Sequence, residues 1–215
     1  MKLHVVVLPA LMSVACPLRA TAQEPGRWRV SAGYVHVDLS AAGELRGITG
    51  SGIAPTGDGS AMLSLLYQPD TRWGIELFIA PPFEHALEGS GSLADLGTLI
   101  SVESSPITVR ARHLFLPARS VRPFVGLGLT YARFADESAS QSLRRLAGTD
   151  VDVEFGNDLA LTLSAGLELA LTRRWSVELG AACSKLDPDI RLSGRAFDAP
   201  PLRAIAYTTQ IGYRF

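Results

Sequence analysis

Few side chains of this sequence are suited to acid–base or nucleophilic chemistry. Histidine is the usual general base near neutral pH, and after residue 22 the chain has three histidines: His36, His85 and His113. None of them belongs to a close His-x-Ser pair. A nucleophilic site would need His85, oriented by Glu84, to meet a loop serine such as Ser90 or Ser92. Catalysis is therefore only a minor hypothesis.

Metal, cofactor and nucleic-acid chemistry have weaker signals still. Asp187 and Asp189 stand at a turn and acids alternate over 150–154, but neither pattern matches a calcium loop. The glycines of Gly126-Leu127-Gly128 lie inside an alternating segment and not before a helix, so they are no dinucleotide fingerprint. The formal net charge is -1, without the basic excess that nucleic-acid binding needs. We expect no metal, no cofactor and no nucleic-acid partner.

The start of the 215-residue chain has the pattern of a secretory signal peptide. Lys2 precedes an apolar run over 5–15, and Ala20-Thr21-Ala22 supplies the small residues of a cleavage site. The run is shorter than the roughly 20 residues that a spanning helix needs. We therefore predict a signal peptide at 1–22 and one mature domain at 23–215.

The mature domain alternates between apolar residues and small or polar ones. Over 158–171, leucine fills most odd positions, while Asp, Ala, Thr, Ser, Gly and Glu fill the even positions. A period of two is typical of a β-strand, because successive side chains point to opposite faces. Segments 122–134 and 203–215 repeat the pattern. Five further segments show it with less contrast: 27–38, 61–68, 73–80, 106–116 and 175–186.

The connections between these eight segments alternate in length. Those at 39–60, 81–105, 135–157 and 187–202 are long, and those at 69–72, 117–121 and 172–174 are short. This predicts an all-β fold, an eight-stranded antiparallel up-and-down transmembrane β-barrel integral to the bacterial outer membrane. A soluble lipocalin-like barrel is the alternative, supported only by a Gly-x-Trp pattern ending at Trp28. The face of the strands opposite the apolar one argues against this alternative. That face is rich in Gly, Ala, Ser and Thr, whereas the exterior of a soluble barrel carries Lys and Glu.

If the apolar face contacts lipid, several charged residues must point into the barrel. Buried charges of this kind are tolerated when opposite signs pair. Arg110 and Arg112 should face Glu76 across the hairpin of the third and fourth strands, because these positions share the inner parity. The predicted lumen charge network is Glu76, Arg110, Arg112, Glu168, Glu178 and Arg214.

The last strand ends on an aromatic residue. Tyr213 and Phe215 close a segment with large apolar residues at every second position back to Ile205. This ending resembles the C-terminal strand that the barrel-assembly machinery of bacterial outer membranes reads. We therefore predict that Tyr213 and Phe215 form the assembly signal and that this machinery is a partner.

Four segments of the chain carry a resemblance to a known family. WGIELFIAPPFEHAL, from Trp73, is similar to the third strand of the OmpW family of small outer-membrane proteins and to that family's Pro-Phe-x-His entry to the second loop. RPFVGLGLTYARFADE, from Arg122, resembles the fifth strand, and IGYRF, from Ile211, resembles the family's ending. RRWSVELGAACSKLDPDI, from Arg173, is a looser match. The resemblance covers residues 28–215, and the first and third loops match poorly.

The resemblance implies a monomeric barrel that helps small hydrophobic molecules cross the outer membrane, embedded in lipid and lipopolysaccharide. An apolar outer vestibule would capture the solute, and a gap in the strand ladder would release it sideways. Pro81 and Pro82 are the predicted lateral opening, because proline has no N–H to donate to a ladder. The predicted vestibule residues are Leu45, Ile48, Ile53, Phe83, Leu93, Leu96 and Leu99. The spacing of Leu93, Leu96 and Leu99 also predicts a short amphipathic helix.

Two other functions stay open at this point. A barrel without transport could serve a structural or surface-recognition role, and only transport data separate that role from the first. Outer-membrane enzymes that modify lipid A have a similar outline, but they use a His with a Ser and an acidic partner. The sequence favours a transporter that is not an enzyme.

Overall fold

The computed structural model describes residues 27–41, 51–147, 151–197 and 201–215. Within them the chain is almost entirely β-structure, with one short α-helix, α1 (Gln141–Ala147), and one turn of 3₁₀ helix (Ala94–Leu96). None of the helices in these ranges is long and apolar enough to cross a membrane. The strands are β1 (Arg27–Ala41), β2 (Ser51–Pro55), β3 (Asp58–Gln68), β4 (Trp73–Ile79), β5 (Phe83–Gly91), β6 (Thr98–Leu114), β7 (Val121–Ala139), β8 (Val153–Phe155), β9 (Asp158–Ala170), β10 (Trp175–Leu186), β11 (Ile190–Leu192), β12 (Arg195–Phe197) and β13 (Leu202–Arg214).

Eight of these strands close into an antiparallel barrel, which confirms the predicted fold class. The order around the barrel is β1-β3-β4-β6-β7-β9-β10-β13, and β13 pairs back with β1. Full closure pairs every strand on both sides, which is the condition for sheet structure in lipid. The eight strands overlap the eight segments predicted from alternation.

The alternation also assigns the two faces as predicted. On β9, Leu159, Leu161 and Leu163 are about 60% exposed, at 61%, 60% and 59%, whereas the intervening Ala160 and Thr162 are 2% and 3% exposed. The exposed apolar side chains form a continuous outer belt, as a lipid-facing surface requires. On β4 this belt ends at Ile79.

The two rims of the barrel differ. At the short-turn rim, where 69–72, 115–120 and 171–174 connect the strands, aromatic rings pair as Trp28 with Tyr67 and Trp175 with Tyr213. Aromatic residues prefer the membrane interface because one end of the ring system is apolar and the other is wet.

At the opposite, long-loop rim, the strands run beyond the lipid-facing belt. β6 begins at Thr98 and β7 ends at Ala139, and β2 and β5 form where long connections were expected. A hydrophobic core that includes Leu99, Val102, Phe134 and Phe155 packs between these extensions, so they pair although no lipid surrounds them.

The predicted amphipathic helix at residues 93–100 is shorter than expected. Only Ala94–Leu96 is helical, and the next residue, Gly97, has φ +64°, in the left-handed region that favours glycine. That backbone turn ends the helix and starts β6 at Thr98.

Candidate functional site

Charged side chains fill the half of the lumen near the short-turn rim. All six predicted network residues lie there, and the structure brings them together with two more arginines. The lumen charge cluster consists of Arg29, Glu76, Arg110, Arg112, Arg122, Glu168, Glu178 and Arg214, each no more than 7% exposed. At this level the barrel interior is occupied by side chains, as the diameter of an eight-stranded barrel allows.

Glu76 and Arg110 are directly opposite each other on β4 and β6. Arg110 Nη2 lies 2.7 Å from Glu76 Oε2, and Arg110 Nε donates to the same oxygen at 2.9 Å. Arg112 Nη1 lies 3.5 Å from that oxygen and 2.7 Å from Glu178 Oε2. Glu76 is therefore held by two arginines of one neighbouring strand.

Arg29 stands at the centre of the cluster. Its Nη1 donates to Glu168 Oε2 and its Nη2 to Glu178 Oε2, both at 2.6 Å. The Arg112 guanidinium lies 4.1 Å above the centre of the Phe124 ring. The Phe124 ring fits at this position because Gly166, on the neighbouring strand, has no side chain. A Cβ atom at Gly166 would come within 2.6 Å of Phe124 Cζ.

Sequence reasoning missed four members of this region. Arg29 and Arg122 complete the cluster, Gln210 donates to Glu178 at 2.8 Å, and Gln68 accepts from Arg214 at 2.9 Å. These residues could have been found from the alternation of inward and outward positions along each strand. Arg29, for example, precedes the inward-facing Ser31 by two positions on β1. The contrast between the two faces is weak on β1, so this signal was hard to use.

A row of hydroxyl groups lies next to the cluster, toward the long-loop rim. Thr108 and Thr130 are hydrogen-bonded at 2.7 Å, Thr130 and Thr162 at 2.5 Å, and Thr162 and Ser184 at 2.7 Å. The four side chains come from β6, β7, β9 and β10, so the row crosses half of the barrel. We call it the hydroxyl row.

A cavity opens between the hydroxyl row and the long-loop rim. It holds about 890 Å³ of space, open solvent at its mouth included. Its walls are mostly apolar, with Val35, Val37, Phe78, Phe83 and Ala206 among them, and its floor carries the hydroxyl row and Arg110. This combination of apolar walls and a few polar groups is typical of small-molecule sites.

The barrel wall beside this cavity has an interrupted strand ladder. β3 pairs with β4 up to Leu63 opposite Ile79, and β2 pairs with β5 from Pro55 opposite Leu87, in the same register. Between these pairs, residues 57–62 face 80–85 without strand pairing among the described residues. Pro81 and Pro82, the predicted lateral opening, lie in this interval and can donate no backbone hydrogen bond.

Apolar side chains occupy the interruption from within. Met62 and Phe83 are 2% and 1% exposed and pack with Val35, while Phe78 and Ala80 lie against the same cluster. In this interval the wall is therefore closed by apolar side chains and not by a strand ladder.

One backbone hydrogen bond and several side-chain contacts fasten the edge of the interruption toward the long-loop rim. Thr56 N donates to Ala86 O at 2.9 Å, Ala86 N donates to Thr56 Oγ1 at 3.0 Å, and Glu84 N donates to Asp58 Oδ2 at 3.0 Å. His85 Nδ1 lies 3.3 Å from Thr56 O. These contacts replace the missing ladder at that edge.

His85 also lines the cavity, and its Nε2 lies 3.0 Å from Ser104 Oγ. The structure thus pairs His85 with Ser104 and not with Ser90 or Ser92. His85 lies beyond the lipid-facing belt, and its burial lowers the pKa of the imidazole below the ordinary value. The other two histidines are apart from it: His36 contacts Asp38 at 3.0 Å, and His113 packs on Trp73 at the short-turn rim.

The predicted vestibule residues fall in different places. Phe83 borders the cavity. Leu99 is buried in the hydrophobic core near the long-loop rim, and Leu93 and Leu96 pack against that core, because the extended strands bury this segment. Ile53 pairs with Gly89 through the backbone of β2, and Leu45 and Ile48 lie outside the described residues. Their roles toward a ligand stay predictions.

The two residues of the predicted assembly signal both lie at the short-turn rim. Tyr213 packs on Trp175, and Phe215 is 61% exposed while its backbone N–H bonds to Trp28 O. Their role in assembly stays a prediction. Across the described residues, no group of three or more His, Cys, Asp or Glu side chains could hold a metal ion.

Comparison with known proteins gives concordant results. The OmpW family model matches residues 27–215. Outer membrane protein W of Escherichia coli K12 is 27% identical over 201 residues, covering 91% of this chain and 92% of the relative. The crystal structure of the outer membrane protein OprG from Pseudomonas aeruginosa superimposes with a TM-score of 0.72 at 20% identity, covering 90% of this chain and 98% of that chain. The solid-state NMR structure of the outer membrane protein AlkL in DMPC lipid bilayers gives 0.66 at 17% identity, covering 95% and 97%.

Proposed function

This chain belongs to the OmpW family and is an integral β-barrel of the bacterial outer membrane, and on that premise we propose that it carries small hydrophobic molecules across that membrane. The solute enters the cavity from the long-loop rim and leaves sideways into the bilayer through the interrupted wall near Pro81 and Pro82. In this proposal the protein is a passive conduit and not an enzyme.

One observation carries the proposal: the apolar cavity and the interrupted ladder are adjacent, above a filled lumen. Phe78 and Phe83 flank the interruption and also line the cavity. Below them, the lumen is filled by the lumen charge cluster, whose members are no more than 7% exposed. A solute in the cavity therefore meets apolar side chains toward the wall and paired charges along the barrel axis.

Energetics favour the sideways route for an apolar solute. Passing the charge cluster would require separating buried ion pairs, which costs several kcal/mol for each uncompensated charge. Displacing Met62 and Phe83 exchanges one apolar contact for another. The bilayer then receives the solute without exposing it to water.

A charge placed in the cavity wall tests the proposal. Val37 lines the cavity on β1, and Val37→Asp should lower uptake of a small hydrocarbon by whole cells about tenfold or more. The reason is that the solute must displace water from a carboxylate, and about 1.4 kcal/mol already corresponds to tenfold. Ser40→Asp is the matched control, since Ser40 lies on the same strand with its side chain exposed. Equal uptake by cells with and without the protein would instead favour a structural or surface-recognition role.

A hydrolase is the second candidate, because of the contact between His85 and Ser104. Its distance of 3.0 Å suits a general base and a nucleophile. The other ring nitrogen faces the Thr56 carbonyl and not a carboxylate, which is weaker support than a full triad has. Covalent labelling of Ser104 by a fluorophosphonate, lost in His85→Gln, would favour this candidate over transport.

A further inference from the structure

The floor of the cavity is polar, although its walls are apolar. Thr108, Thr130, Thr162 and Ser184 all line the cavity, and the last three are 8%, 3% and 8% exposed. An entirely hydrocarbon solute would leave these groups without a new partner. The arrangement suits a solute with one polar end.

The hydroxyl row has unused hydrogen-bonding capacity. Four hydroxyls carry four donor protons, and the three bonds of the row use three of them. Each oxygen also has two lone pairs, so acceptor sites remain as well. Because either oxygen of each bond can be the donor, the spare proton can stand at the Thr108 end or at the Ser184 end.

Arg110, the charged residue of the floor, is already engaged in ion pairs. Its Nε and Nη2 contact Glu76, and Nη2 lies 3.4 Å from Glu178. An anionic head group would have to compete with these two carboxylates for the N–H groups of Arg110. A neutral oxygen, which can both donate and accept, matches the row without this penalty.

We propose that the cavity takes amphipathic solutes with a neutral oxygen head group, medium-chain primary alcohols being the simplest case. The hydroxyl of the solute bonds to the hydroxyl row, and its alkyl chain extends past Val35 and Phe78 toward Phe83 and the interrupted wall. Thr108 lies four positions after Ser104 on β6, a distance of about 13 Å along a strand. This distance sets the length of the alkyl chain that the cavity can hold. This inference rests on the proposed function and names its substrate class.

The test compares decan-1-ol with undecane, which has the same number of heavy atoms. The variant T108V/T130V/T162V/S184A converts the row to apolar groups of nearly the same shape, and replacing all hydrogen-bonding partners together is close to neutral for stability. Cells with the wild-type protein should take up decan-1-ol faster than undecane, relative to cells without the protein. In the variant, the preference for decan-1-ol over undecane should be about tenfold smaller. This factor corresponds to the net free energy of one to two hydrogen bonds. Thr209→Val, which removes an exposed hydroxyl of β13, is the matched control.

The outcomes separate this inference from the proposed function. An unchanged preference in the quadruple variant overturns the neutral-head assignment while leaving transport intact. A preference for decanoate over decan-1-ol also overturns it. If neither solute enters faster with the wild-type protein than without it, the proposed function itself fails.

An NMR measurement on the wild-type protein in nanodiscs does not depend on the variant folding. The C1 protons of bound decan-1-ol should show NOEs to the methyl groups of Thr130 and Thr162, and the chain end should show NOEs to the Phe83 ring. The reverse orientation, with the C1 protons near Phe83, overturns the inference.

Discussion

The two halves of the lumen are enclosed by the same eight strands but hold different side chains. Near the short-turn rim, arginine, glutamate and the Phe124 ring fill the interior. Near the long-loop rim, the inward positions of β10 and β13 carry Ala182, Ala204 and Ala206, and a cavity remains. Side-chain volume, and not strand number, thus decides which half is closed and which half can hold a ligand.

The largest expected effect concerns the filled half. Glu76→Leu removes a carboxylate that contacts Arg110 and Arg112, both buried. The free energy of unfolding should fall by about 3–5 kcal/mol, because breaking a buried pair leaves an uncompensated charge. Urea unfolding in lipid vesicles, followed by tryptophan fluorescence, measures this change.

The control is a double-mutant cycle with Arg110→Leu. The double variant E76L/R110L should be more stable than the sum of the single changes predicts, by at least about 1 kcal/mol. Strictly additive unfolding free energies would show that the pair is not coupled.

The next largest effect is expected when the open half of the lumen is filled with a larger side chain. Ala206 lies opposite Val37 on β1 and lines the cavity, so Ala206→Phe should occupy part of the space and reduce hydrocarbon uptake several-fold. Ala181→Phe, on the exposed face of β10, adds the same ring away from the cavity. Whole-cell uptake that falls equally in both variants would argue against the cavity as the solute site.

Uptake should be less sensitive to the filled half. The variant E76Q/R110Q keeps a polar side chain at both positions and removes one charge of each sign. Because the solute leaves above this level, we expect hydrocarbon uptake to stay within about twofold of the wild-type rate, a difference of roughly 0.4 kcal/mol. A rise in uptake of polar solutes with a loss of hydrocarbon uptake would point to an axial channel.

The smallest expected effect is a pH dependence at the cavity wall. Burial lowers the pKa of His85 while Ser104, the Thr56 carbonyl and the nearby Asp58 face it, so the folded protein favours the neutral ring. The stability associated with the neutral ring is complete above the unfolded pKa of about 6.5 and is lost as pH falls toward the lower folded value. Unfolding measured from pH 7.5 to pH 5 should show this loss in wild type and not in His85→Gln.

The sequence was most informative where one face of a strand meets lipid. On β9 the leucines alternate with small residues, so strand, register and facing could all be predicted, and the inward charges followed from the same parity. Beyond the lipid-facing belt this contrast disappears, because both faces of an extended strand contact protein or water. The extensions of β6 and β7 and the pairing of β2 with β5 could therefore not be foreseen.

The candidate site shows the same limit. Pro81 and Pro82 could be singled out from backbone chemistry alone, and they do lie in the interrupted ladder. The cavity walls could not, since Val35, Val37 and Ala206 are ordinary strand residues whose importance depends on what faces them across the lumen. The loop leucines Leu93, Leu96 and Leu99 were singled out for being apolar outside the strands, yet they pack in or against the hydrophobic core near the long-loop rim.

A reversible cross-link over the interrupted ladder tests the central claim most directly. Met62 and Ala80 are the next positions in the register after Leu63 and Ile79, so a disulfide in M62C/A80C, with the exposed Cys183 replaced by serine, would fasten the wall. The control pair A32C/I211C joins residues already opposite each other on β1 and β13. We predict that oxidised M62C/A80C takes up a small hydrocarbon several-fold more slowly, that reduction restores the rate, and that the control pair shows neither effect. Uptake at the wild-type rate with the M62C/A80C disulfide formed would contradict sideways release.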